Sequence, residues 1–143
     1  EVNVILNKRS GMLGLSQISN DMREIEDQMA IHKNPAAIQA FDVYCYRIKK
    51  YIGSYFAAMN GLDCLVFTGG IGENGASIRE KICADMGYLG IQLDKKSNDI
   101  RLGREEDAKL ISADGASVRI CVVRTNEELM IGRETFEAIR RSD

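Results

Sequence analysis

The apolar run Leu65-Val66-Phe67 breaks directly into Thr68-Gly69-Gly70-Ile71-Gly72-Glu73-Asn74-Gly75 and then into a helical pattern. A buried strand passing through glycines into a helix restricts the chain to folds in which sheet and helix alternate. It also has the form of a phosphate cradle. Glycines let the main chain come close to a ligand, and the free N–H groups at a helix start point towards negative charge. The same residues fit a plain strand-to-helix turn with Asn74 as N-cap.

Around this segment the pattern is mixed α/β. A helix is expected from the first residues, and another from Asn20 to about His32, with Met22, Ile25, Met29 and Ile31 at helical spacing and Asn20 or Asp21 as cap. Asn34-Pro35 starts the longest helix, residues 35 to 60, and Gly61 stops it. Its core stripe is expected to be Ile38, Phe41, Cys45, Ile48, Ile52, Tyr55 and Met59. A second stripe, Ala37, Ala40, Tyr44 and Tyr51, fits either a helix sandwiched within its domain or a contact with another subunit. Strands are expected at Leu62 to Phe67, Ile91 to Leu93, Lys109 to Ile111 and Val118 to Val123, with a turn at Asp114-Gly115. A helix is expected over Ala76 to Met86, a surface loop over residues 94 to 109, and a last helix from Asn126.

Charge and cysteine usage exclude several classes. The 143 residues carry 19 basic and 21 acidic side chains, interspersed, for a net charge of -2, so no footprint for nucleic acid or an anionic membrane stands out. With 45% hydrophobic residues but no run near a bilayer span, the chain reads as folded and cytoplasmic. Cys45, Cys64, Cys83 and Cys121 sit among apolar neighbours with no C-x-x-C pair, as buried reduced thiols do. His32, the one histidine, has no partner at ligand spacing and reads as solvated near a helix end. The start, Glu1-Val2-Asn3, without an initiator methionine, suggests a piece of something longer.

A second strand-to-helix junction is Val122-Val123-Arg124-Thr125-Asn126-Glu127-Glu128-Leu129. Thr125 with Glu128 fits a capping box, and Glu127 suits the helix dipole. Ligands in α/β sheets bind at the carboxyl ends of strands, so if the two strands are parallel and close, Glu127 faces the glycine turn. A carboxylate near phosphates needs a cation between, which points to Mg²⁺ held through Glu127 by way of water. Arg23, one turn into its helix, can stack on a base or reach a phosphate. The rival reading is a dinucleotide fingerprint, Gly70-x-Gly72-x-x-Gly75, with Asp94 as the ribose acid. Against it, Glu73 would lie near a pyrophosphate without an obvious cation, and helices precede the strand that normally opens such a domain.

Four ordered segments, Leu6-Asn7-Lys8-Arg9-Ser10-Gly11-Met12-Leu13-Gly14, Ser19-Asn20-Asp21-Met22-Arg23, Phe67-Thr68-Gly69-Gly70-Ile71-Gly72-Glu73-Asn74 and Thr125-Asn126-Glu127-Glu128-Leu129, resemble the C-terminal part of the acetate kinase family. Propionate kinase is its closest competitor. The resemblance implies an α/β, ribonuclease H-like fold of the actin-like ATPase and acetate and sugar kinase type, incomplete at its N-terminal side. Residues 1–143 would be the nucleotide-binding part of a two-domain protein, with 126–143 as its C-terminal helix. It implies reversible phosphorylation of acetate by ATP, giving acetyl phosphate and ADP.

By position, Asp21, Met22 and Arg23 would line the adenosine pocket, Gly70, Ile71, Gly72, Glu73 and Asn74 would form the nucleotide loop, and Glu127 would bind Mg²⁺. ATP or ADP, a short-chain carboxylate and a second copy in a homodimer are the implied partners. Arg124 stands where the family usually has proline. The family's Asn-x-Gly-Ser-Ser-Ser loop, catalytic histidine, two arginines and aspartate would lie upstream. No catalytic residue is therefore expected here, and the chain alone is expected to be inactive.

Overall fold

The computed structural model describes residues 1–99, 101–103 and 105–142. Four helices come first: α1 (Val2–Lys8), α2 (Gly11–Ser16), α3 (Met22–Ala30) and α4 (Pro35–Ala58). Asp21 caps α3, accepting from the Arg23 N–H, and Asn34 caps α4, accepting from Ala36 N at 3.0 Å and Ala37 N at 3.4 Å. Strand β1 (Cys64–Phe67) leads into α5 (Gly69–Asn74) and α6 (Ala76–Cys83), then a 3-10 turn at Gly87–Leu89 and α7 (Lys95–Asp99). Strands β2 (Ala108–Leu110) and β3 (Arg119–Val123) precede α8 (Glu127–Ser142).

The sheet order is β1-β3-β2. β3 pairs parallel with β1, Phe67 opposite Val122, and antiparallel with β2, Leu110 opposite Cys121. As the central strand it buries Ile120 and Val122 in one core with Ile25 of α3, Phe41 and Cys45 of α4, and Ile78 and Ile82 of α6. Each fully buried isoleucine contributes about 1.5–3 kcal/mol through the apolar area it removes from water. The parallel pairing brings the carboxyl ends of β1 and β3 to one edge.

Several expectations change. On α4 the buried face is Ala37, Ala40, Phe41 and Cys45, while Ile38, Tyr51, Tyr55 and Met59 are exposed. Alanines seat the helix closely beside Phe41 and Cys45, and of the expected stripe Ile48 and Ile52 also pack against the core while Ile38, Tyr55 and Met59 turn outward. Ile91 to Leu93 makes only isolated bridges, to Val118 and Ser112. The expected loop over 94 to 109 contains α7, started by Asp94, whose carboxylate accepts from Ser97 N at 2.9 Å, while β2 overlaps the strand expected at Lys109 to Ile111; Ile100 and Arg104 lie outside the described residues. Cys45 and Cys83 are buried, but Cys64 and Cys121 are half-buried and adjacent, their sulfurs 3.7 Å apart. In the 126–143 segment, Leu129, Met130, Phe136 and Ile139 are exposed on α8, and Asp143 lies outside the described residues.

Candidate nucleotide site

Because β1 and β3 run parallel, the turns that follow them meet. Thr125 Oγ1 accepts from Gly69 N at 2.7 Å, lies 2.7 Å from Thr68 Oγ1 and donates to Glu73 Oε1 at 3.0 Å. Glu73 Oε1 also accepts from Thr125 N at 2.8 Å. A hydroxyl has one proton and two lone pairs, so with its proton on Glu73 and one lone pair on Gly69, Thr68 is the donor to the other. The expected capping box is absent. Thr125 is committed to this clasp, and Asn126 caps α8 by accepting from Leu129 N at 3.0 Å.

The glycine segment is helical rather than an open turn. α5 begins at Gly69, whose φ of +71° suits only glycine without strain. First-turn amides of a helix have no intrahelical partner, and Thr125 takes only that of Gly69. Asn74 does not cap the next helix. It closes α5, its side-chain amide donating back to Gly70 O at 2.9 Å, and Gly75 stands at the N-cap of α6. Gly72 serves packing, since a Cβ there would meet the Phe67 backbone at 3.1 Å.

Two clefts flank α5. The first, about 790 Å³, lies between the start of α3 and α5, and Asp21, Met22, Arg23, Gly70, Ile71 and Asn74 line it together with Asn20, Glu26 and Arg101. The second, about 460 Å³, is lined by Gly70, Glu73, Thr125, Asn126, Glu127 and Glu128. Gly70 lines both, so the two share a wall. Gly72 lines neither. In the first cleft Arg23 donates to both Asp21 oxygens, at 3.1 and 2.6 Å, and these bonds hold the Asp21 carboxyl down to about 2. Glu26 accepts from the Ser77 hydroxyl, tying α3 to α6.

The dinucleotide reading loses its acid, because Asp94 is the cap of α7 and lines neither cleft. Thr68, Glu26, Arg79 and Arg101 were not singled out in the sequence. For Arg79 a signal existed: it lies four residues before Cys83 on a helix whose Ile78 and Ile82 repeat at the same spacing, a stripe where a charge needs partners. Among the described residues no group of three histidine, cysteine or acidic side chains could hold a metal. Glu127 and Glu128 open the first turn of α8 at the second cleft.

Residues 1–133 match the model of the acetokinase family. The chain is 55% identical over 139 residues to the acetate kinase of Clostridium acetobutylicum, covering 97% of this chain and 34% of that protein. Among solved structures it is similar to the acetate kinase of Porphyromonas gingivalis (TM-score 0.84, 46% identity, 96% of this chain and 34% of that one). It is also similar to a propionate kinase from Francisella tularensis (TM-score 0.76, 41% identity, 91% of this chain and 32% of that one). The chain thus spans about a third of the length of the curated relatives it matches.

Proposed function

The chain belongs to the acetokinase family, with part of its ribonuclease H-like α/β fold, and we propose that it supplies the nucleotide- and magnesium-binding residues of an ATP:carboxylate phosphotransferase. Its acceptor is acetate: the γ-phosphoryl of ATP passes to a carboxylate oxygen, giving acetyl phosphate and ADP. One observation carries this reading. The carboxyl ends of two parallel strands are joined by Thr125, so the glycine helix and the first turn of α8 front one cleft that shares Gly70 with a second.

In this reading the nucleoside lies in the larger cleft against Asp21, Met22 and Arg23, and the polyphosphate passes Gly70 to the smaller one. Asp21 stays ionised at physiological pH and holds Arg23, which orients the guanidinium across the nucleoside. Gly70, Ile71, Gly72, Glu73 and Asn74 set the course of the backbone beside the phosphates. The donor set fits Mg²⁺, which favours one or two carboxylates with water and substrate phosphates over a cage of protein ligands. Glu127 would hold it, and when bound the ion neutralises charge on the transferring phosphoryl group. Glu73, committed to Thr125, is unavailable as a second metal ligand through Oε1.

The residues that would hold acetate and steady the transition state lie outside these 143 positions in the family pattern, so the chain alone does not turn over. No helix among the described residues is long and apolar enough to cross a membrane, which suits a cytoplasmic enzyme. The exposed tyrosines of α4, Tyr46, Tyr51 and Tyr55, suit contact with a second copy in a homodimer.

The test is acyl phosphate formation by the complete protein that carries this chain, with ATP, Mg²⁺ and either acetate or propionate. Acetyl phosphate formed faster than propionyl phosphate, and none from the 143-residue chain, supports the proposal. No acyl phosphate from the complete protein would refute it, and a preference for propionate would move it to the neighbouring kinase.

A further inference from the structure

Among the described residues Arg79 is the one arginine buried in the core, 3% exposed, and its hydrogen bonds go to an amide side chain and to backbone carbonyls. Nε donates to Asn98 Oδ1 at 2.7 Å and Nη2 to Asn98 O at 2.8 Å. Nη1 donates to Gly72 O at 2.7 Å and to Glu73 O at 3.0 Å. Burial pushes the guanidinium's pKa down, with Cys83 and Asp99 partly opposing the shift. Burying an arginine against neutral carbonyls is costly, and plain core packing would be served by an apolar residue. Carbonyls bound by a planar fork are, by contrast, fixed in direction as well as distance.

Those carbonyls belong to the last turn of α5, where helix C=O groups lack intrahelical partners and carry partial negative charge. From Glu73 the connection continues outward: its carboxylate holds Thr125, and Thr125 lies two residues before Glu127. Asn98 anchors the other side of the fork and donates to Ala76 O at 2.9 Å, so α7 braces α6 from behind. We propose that Arg79 is a positioning residue: from the core it fixes the end of the glycine helix and, through Glu73 and Thr125, the placement of the Glu127 carboxylate. It touches no ligand itself. The inference rests on the nucleotide-binding reading of the site.

The experiment measures ADP affinity with and without Mg²⁺, and thermal midpoint, for the complete protein carrying this chain and three variants. Arg79→Lys keeps the charge but loses the fork, Asn98→Ala loosens the fork from behind, and Ile111→Val is a core change away from the clefts. Arg79→Lys is expected to weaken Mg²⁺-ADP binding about tenfold, and Asn98→Ala about threefold, while Ile111→Val leaves it unchanged at similar loss of midpoint. Metal-free ADP binding should fall less than Mg²⁺-ADP binding in Arg79→Lys. Affinities that merely track the midpoint in all variants would overturn the positioning role. If Arg79→Lys does not fold, Asn98→Ala against Ile111→Val decides on the same criterion. A parent protein that binds no ADP would instead remove the nucleotide-site reading, and the inference with it.

Discussion

The carboxylate of Glu73 accepts both the backbone N–H and the hydroxyl of Thr125, at 2.8 and 3.0 Å, across 52 positions of sequence. It ties the helix after β1 to the turn after β3. The two junctions therefore behave as one unit, and changes at either should be felt at both.

Thr125→Val keeps the side-chain shape and removes the hydroxyl, leaving Gly69 N–H and Thr68 without their partner. Water can partly replace the lost bonds at this exposed clasp, so the stability cost is about 1 kcal/mol. Nucleotide affinity in the complete protein should fall about tenfold, since both turns lose their common reference. Calorimetry with ADP and a thermal melt separate the two effects. Unchanged affinity would dissociate the clasp from binding.

Gly75→Ala and Gly70→Ala should act in opposite senses on stability. A Cβ at Gly75 meets Ile71 O at 2.7 Å and Ile78 Cδ1 at 2.8 Å, so backbone has to move, at about 1–3 kcal/mol. At Gly70, inside α5, a Cβ meets nothing within 4 Å, and alanine's helix propensity contributes about 0.5–1 kcal/mol of stability. Because Gly70 lines both clefts, that methyl should nonetheless weaken ADP binding. Urea midpoints and ADP titrations of the two variants check the crossing. A stable Gly75→Ala or a tight-binding Gly70→Ala would contradict it.

Burial raises Cys45 to about 11 and Cys83 to about 12, from an ordinary thiol value of 9.0. Above that ordinary value the unfolded chain releases these protons while the folded chain keeps them, so folding stability falls as pH rises from about 9 towards 12. At pH 10 the loss is about 1 kcal/mol per buried thiol. It should shrink in Cys83→Val, measured by urea unfolding at pH 8 and pH 10. In the native protein iodoacetamide should label Cys64 and Cys121 before Cys45 and Cys83. Equal labelling, or no alkaline loss, would count against these placements.

Several elements were readable from local chemistry, although α7, started by the local cap Asp94, and the helical course of the glycine segment were not. Asn34-Pro35 started α4 as expected, and the strand ends at Phe67 and Val123 were visible because apolar runs stopped at polar or glycine-rich turns. Faces and partners were less readable. Ile38, Tyr55 and Met59 share helical spacing with Phe41, but closeness of approach favoured the alanine side. The placing of Thr125 opposite Glu73 depends on strand pairing, a long-range fact that spacing within either junction cannot carry. Arg79 was passed over for a similar reason: its partners, Gly72, Glu73 and Asn98, come together only once α5, α6 and α7 have packed.

In the proposed function the start of the glycine helix and the acid at the start of α8 address one bound nucleotide. Titration calorimetry of ADP into the complete protein, with and without Mg²⁺, compared with Glu127→Gln, tests it most directly. Mg²⁺ should tighten ADP binding in the parent, and Glu127→Gln should abolish this enhancement while metal-free ADP binds as before. No ADP binding by the parent, or the same Mg²⁺ enhancement in the variant, would contradict it.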